Sequence, residues 1–161
     1  IVADARTTTV TAGAGADSLD ATGAAQGVTV DLGNGANSVL GSAFDDQVTL
    51  GSGVDTLSLD GGSDTVIGTL SAGDTVDLGA DDDSFTYQAL GDAGMVVDGG
   101  AGSDTLVIAA TSAPLTIDFS DASDNLAAES GSYRNFENLD AAAATDALTV
   151  TTSAAGGTVV T

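Results

Sequence analysis

Asn37, Asp46, Asp55 and Asp64 stand nine residues apart, and after one ten-residue step the series resumes at Asp74 and Asp83. Two places after each comes an apolar residue: Val39, Val48, Leu57, Val66, Val76 and Phe85. Glycines punctuate the intervals, among them Gly33, Gly35, Gly51, Gly53, Gly73 and Gly79. The chemistry within reach of such a set is oxygen ligation of a hard cation, which takes about six to eight oxygens from carboxylates and backbone carbonyls. Glycine lets a turn adopt positive φ and aim its carbonyls inward. One turn offers too few oxygens, but two turns stacked one above the other can enclose an ion between them.

The rest of the composition narrows the choice. Cys and His are both absent, which removes disulfides, thiolate or imidazole metal sites and Ser-His or Cys-His nucleophiles. Two basic residues against 24 acids give a formal charge of −22, so nucleic acid and anionic membrane surfaces are excluded as partners by repulsion. Only Glu129 and Glu137 are Glu; every other acid is Asp, whose short carboxylate suits tight turns and fixed cations. Salt adaptation or solubility would account for the charge but not for the spacing. Asp81, Asp82 and Asp83 could be imagined as glycosidase acids. They sit in the repeat register, however, with no aromatic or cationic subsite beside them, and no enzyme is expected. No run of 18 apolar residues occurs, so membrane insertion is not expected either. The chain begins at Ile1 with no Met and no charged-then-apolar leader, so any signal was removed, lies elsewhere or was never there.

The elements that must hold these acids follow from the period. A fixed repeat of this kind marks a solenoid. Nine residues make a turn plus a short strand, and alternations such as Val48/Leu50, Leu57/Leu59, Val76/Leu78, Phe85/Tyr87 and Leu106/Ile108 give half-buried strands. Two units make a coil of about eighteen residues, and coils stack at roughly 4.8 Å, so residues 12–108 make about five coils. Turns alternate between two edges: Asn37, Asp55 and Asp74 on the first, Asp46, Asp64 and Asp83 on the second. Gly91 to Gly94 reads as the next first-edge turn. The 21-residue step from Asp83 to Asp104 calls for a bulge or small loop. Beyond Pro114 the repeat is no longer countable. Leu115, Ile117 and Phe119 make a strand, residues 121–132 are polar and irregular with a single helical turn over 125–129, and Phe136 and Leu139 are core anchors. Residues 148–152 and 158–161 read as a terminal strand pair. The partition is one β-solenoid domain over 1–161: an N-terminal strand in 1–11, repeats in 12–108 and an irregular β continuation in 109–161.

Gly99 to Val107 matches the nonapeptide G-G-x-G-x-D-x-U-x, U being a large apolar residue, at every fixed position. Close variants begin at Gly13 (Gly13-Ala14-Gly15-Ala16-Asp17-Ser18-Leu19), Gly51 and Gly79. Here the chain resembles the RTX (repeats-in-toxin) family of calcium-binding parallel β-rolls, over about three-fifths of its length. The resemblance implies an all-β, right-handed parallel β-roll or β-helix solenoid that binds several Ca2+ ions. It also implies that the motif acids bridge ions along each edge: Asp17, Asp55, Asp74 and Asp104, with Asp46, Asp64 and Asp83. Asn37 occupies the same register and departs from the pattern, which weakens or neutralises a ligand there. The turns before Asp46 and Asp64 also depart from it. The competing reading is an Asp- and Gly-rich solenoid closed by hydrogen bonds alone.

Residues 135–140, followed by Ala141 to Ala144, resemble a segment of very large RTX-bearing surface-layer and adhesin-like bacterial proteins. The function this implies is a calcium-stabilised, secreted structural protein that self-assembles into a filament or surface layer as a homopolymer. One of its terminal segments would be the connector: residues 1–11, β-prone and free of charge at 7–11, or residues 148–152 with 158–161, which are also free of charge. The alternative is a passive stalk or secretion module of a larger adhesin or exoenzyme.

Overall fold

Val, Thr, Leu and Ser fill the segments after each acid, and such β-branched and apolar alternation favours short extended strands over helix. The computed structural model describes residues 1–4, 6, 9–88, 94–110, 115–118, 131–145, 147–151 and 159–160. Among them there is no helix. The strands are β1 (Thr9–Ala14), β2 (Ser18–Asp20), β3 (Thr29–Asn34), β4 (Ser38–Leu40), β5 (Gln47–Leu50), β6 (Thr56–Ser58), β7 (Thr65–Gly68) and β8 (Thr75–Asp77). They continue as β9 (Ser84–Gln88), β10 (Val96–Asp98), β11 (Thr105–Ala110), β12 (Leu115–Asp118), β13 (Ser132–Arg134), β14 (Asn138–Asp140), β15 (Leu148–Thr151) and β16 (Val159–Val160).

The chain steps alternately between two parallel sheets. One has the order β1-β3-β5-β7-β9-β11-β14-β16, the other β13-β10-β8-β6-β4-β2, and β12 pairs separately with β15. The result is a parallel β-solenoid of about five turns, the architecture of a β-roll. Parallel in-register stacking places like on like. Val10, Val30, Val48, Val66, Phe85, Leu106 and Leu139 form one inward column. Leu19, Val39, Leu57, Val76, Val97 and Tyr133 form the facing one. All thirteen side chains are buried. Val and Leu keep the two sheets close along the first coils. Toward the far end the core takes aromatics, with Tyr133 packed against Phe85 (ring centroids 6.1 Å apart) and edge-on to Tyr87 (5.5 Å). The Tyr133 hydroxyl donates to Met95 Sδ at 3.1 Å, which gives the buried O–H a partner.

Several expectations are refined by the register. Residues 1–3 already belong to the stack: Val2 bridges Asp20 in parallel, with Ala3 N donating to Asp20 O and Asp20 N to Ile1 O. A register shift accompanies the 21-residue step, where Ile108 to Ala110 of β11 run against Tyr87 and Gln88 of β9. The two terminal strands form, but not as a pair. β15 lies along β12 and β16 along β14, because each is recruited by the strand one coil earlier rather than by its neighbour in sequence. Leu115 and Ile117 fall in β12, and Phe136 and Leu139 are buried anchors. Residues 91–93 of the turn expected over 91–94, Phe119, residues 121–130 of the irregular 121–132 with its helical turn, residues 7 and 8 and the link over 153–157 lie outside the described residues.

Candidate metal centre

Each repeat acid sits two residues before an inward apolar residue, so strand register fixes where the acids stand. On the first edge the places are Asp17, Asn37, Asp55 and Asp74; on the second, Asp46, Asp64, Asp83 and Asp104. All except Asp17, which is half-buried, are buried. The structure thus gathers all eight sequence-derived positions into two ladders, one along each edge.

The ladders share one hydrogen-bond rule. Except at Asp74, whose N–H donates to Ser71 O, the backbone N–H at each place donates to the side-chain oxygen one coil further on. On the first edge these bonds run Asp17 N to Asn37 Oδ1 (3.0 Å), Asn37 N to Asp55 Oδ1 (3.0 Å) and Asp55 N to Asp74 Oδ1 (2.8 Å). On the second they run Val28 N to Asp46 Oδ1 (2.8 Å), Asp46 N to Asp64 Oδ1 (2.7 Å), Asp64 N to Asp83 Oδ1 (2.7 Å) and Asp83 N to Asp104 Oδ1 (2.9 Å). Short Asx side chains suit these places because the oxygen must reach an N–H directly above it in the stack. The turns that carry them are close-packed. Gly35 and Gly53 have φ of 112° and 115°, and a Cβ on Gly53 would collide with the carbonyl of Gly35.

Two ladder positions escaped the repeat count. Glu137 holds the second-edge place after Asp104, and its Oε2 accepts the Asp104 N–H at 3.0 Å. Its signal is in the sequence, since Leu139 follows it by two, but the 33-residue step from Asp104 hides it. Met95 holds the first-edge place after Asp74, because Val97 pairs with Val76. The first ladder therefore ends on a buried thioether, and Asp92 lies outside the described residues.

The second side-chain atom divides the positions. Asp46 Oδ2 accepts from Ser42 N (2.7 Å), and Asp74 Oδ2 from Ser71 N (2.6 Å). Asn37 Nδ2 donates to Leu32 O (3.3 Å), Gly35 O (3.1 Å) and Asp55 Oδ1 (3.0 Å). Asp55, Asp64, Asp83 and Asp104 differ. Each is no more than 2 % exposed, and the Oδ2 of each is buried with no hydrogen-bond partner. A charged oxygen left so costs several kcal/mol at least and demands a proton or a cation.

The electrostatics agree. Burial, reinforced by neighbouring acids and only partly offset by the ladder N–H, pushes Asp64 up to about 8, Asp104 to about 7 and Asp83 to about 6. Burial also raises Asp77, with Asp98 adding to the shift. Of the two cations, Arg134 reaches an acid, with Nε 2.8 Å from Asp98 Oδ2 at a partly exposed site worth little to stability.

The four orphaned oxygens fit a divalent cation by donor chemistry, since hard cations take carboxylate and carbonyl oxygen. Among the described residues no three carboxylates converge on one point. Any ion here would therefore use one or two carboxylates and fill its shell with carbonyls of the glycine turns.

A pH dependence follows for the cation-free protein. The folded-state values of Asp64, Asp83 and Asp104 lie above the unfolded value of about 3.9, so the folded chain binds more protons across the interval between. Stability is then greatest near pH 4 and falls as pH rises toward about 8. In chelator the melting temperature should drop between about pH 5 and pH 8, and the slope should flatten when calcium is present. A chelated melt that climbs over that interval would contradict the assignment.

No protein-family model, no curated protein and no solved structure matches the chain.

Proposed function

We propose that this chain is a calcium-stabilised extracellular structural protein, akin to the RTX β-rolls of bacterial surface proteins, that self-assembles into a filament or surface layer. The observation that carries the reading is a buried carboxylate oxygen without a donor at Asp64, Asp83 and Asp104, one coil apart on the second edge, and again at Asp55 on the first. These four acids would hold the ions between coils, with Asp46, Asp74 and Glu137 as further rungs of the same ladders. Calcium supplies positive charge that neutralises the ladder and ties each coil to the next. Sites with few carboxylates belong to the weak end of protein calcium binding, near 10⁻⁴–10⁻³ M, which only extracellular fluid fills. That supports a secreted or cell-surface location.

Assembly is supported by the end of the stack. No strand lies beyond β1 among the described residues. Beside it, an apolar hollow is lined by Ile1, Val10, Leu19, Val30 and Leu32, and Ile1 and Val2 are largely exposed. An unpaired strand edge next to bare apolar surface is a template for another chain. Head-to-tail contact between unlike ends propagates rather than closes. Deleting residues 1–11 removes this edge and uncovers β3, which carries Asp31 where β1 carries Thr11. The truncated chain should bind calcium yet remain monomeric by light scattering. Assemblies of normal length would mean that this edge is not the connector.

A further inference from the structure

We infer that residues 9–50 form a cation-independent base of the stack, and that Asn37 makes it so by placing an amide nitrogen where the later coils require an ion. This rests on the calcium reading above, and concerns which coils need the metal.

The orientation of Asn37 is settled by its surroundings. Its Oδ1 accepts the Asp17 N–H, so a flipped amide would set a donor against a donor. Nδ2 therefore points the other way, to Leu32 O, Gly35 O and Asp55 Oδ1, two carbonyls of its own turn and one carboxylate of the next coil. That is a small ligand shell of the kind a cation collects, satisfied by N–H groups. One coil on, the register replaces Leu32 by Leu50, Gly35 by Gly53 and Asn37 by Asp55, whose own N–H bonds Asp74 Oδ1. The groups are the same except that Asp55 brings an oxygen instead of N–H₂, and that oxygen is one of the four without a partner.

The other base rung is closed by a different device. Asp46 receives Ser42 N–H on Oδ2, the Ser42 hydroxyl on Oδ1 (2.8 Å) and Val28 N–H, also on Oδ1. Thus no buried acid before residue 50 has an orphaned oxygen, whereas all four orphans lie between 55 and 104. Asp74, bonded by Ser71 N–H, is the one later rung closed by protein, and it is flanked on the opposite edge by Asp64 and Asp83, which are not. In a stack whose stability is a sum of coil and interface terms, such a division makes opening local.

Hydrogen exchange on the full chain, in saturating calcium and after dialysis into chelator, reads this directly. Chelation should reduce protection over residues 56–108 by at least about tenfold more than over 29–50. Asn37→Asp should extend the loss in chelator to 29–50. In calcium it should restore protection there and bind about one further ion per chain, counted by calorimetry. Equal loss over both segments in the parent, or an Asn37→Asp exchange map in chelator identical to the parent's, would overturn the inference while leaving the calcium reading intact. No binding heat and no chelator effect anywhere would overturn both. Should Asn37→Asp fail to fold, the parent's map alone decides.

Discussion

Dialysed into chelator at neutral pH, this protein should melt tens of degrees below its calcium-loaded form. Calcium at a hundredfold excess over its Kd, about 10 mM for sites of about 10⁻⁴ M, adds about 2.7 kcal/mol per site when it binds only the folded state. Four such sites would match the roughly 5–15 kcal/mol net stability of an ordinary domain. The cause is local. Asp64, Asp83 and Asp104 stand in one column on the second edge, each with a buried oxygen that no donor meets, and Asp55 repeats the arrangement on the first. Uncompensated, Asp64, Asp83 and Asp104 must take up protons or force the coils apart. Circular dichroism melts in calcium and in chelator measure the difference, and coincident curves would remove the cation from the account.

The next largest effect belongs to the aromatic end of the core. Phe85 is fully buried, sits in register between Val66 and Leu106, and packs across the solenoid against Tyr133. Phe85→Ala should cost about 3–5 kcal/mol in calcium, because in-register stacking leaves no mobile side chain to fill the hole. Leu57→Ala, in the facing column, should cost about 2–5 kcal/mol. Phe44, nearly half exposed on the second-edge turn, provides the contrast, and Phe44→Ala should stay within about 0.5 kcal/mol of the parent. Urea unfolding of the three variants checks the order. Equal losses for Phe85 and Phe44 would mean that the column is not the core.

The nine-residue period carried most of this architecture. Placing an Asp two residues before an inward Val or Leu settles strand, face, edge and coil together, so the two sheets and both ladders were legible from Asn37 to Asp83. Legibility failed where a rung is not an Asx. Met95 and Glu137 hold ladder places through register with Val97 and Leu139, but insertions ahead of both stretch the period beyond counting. The terminal strands β15 and β16 pair with β12 and β14, one coil away, and not with each other, which their proximity in sequence does not show. Which acids are orphaned could not be read from spacing at all. Asp46 and Asp55 occupy equivalent places, and only the Ser42 N–H, brought back by the local turn, distinguishes them.

The most direct test of the cation's place is a substitution that helps without the ion and harms with it. Asp55→Asn converts the orphaned oxygen to an amide that can donate as Asn37 does one coil earlier. In chelator the variant should melt higher than the parent by several degrees, since about 1 kcal/mol moves a chain of this size by roughly 2–4 °C. In saturating calcium it should melt lower, having lost a charged ligand. Opposite signs in the two buffers are the predicted result. A shift of the same sign and size in both would contradict it, and would leave Asp55 as a rung of a ladder held by hydrogen bonds alone.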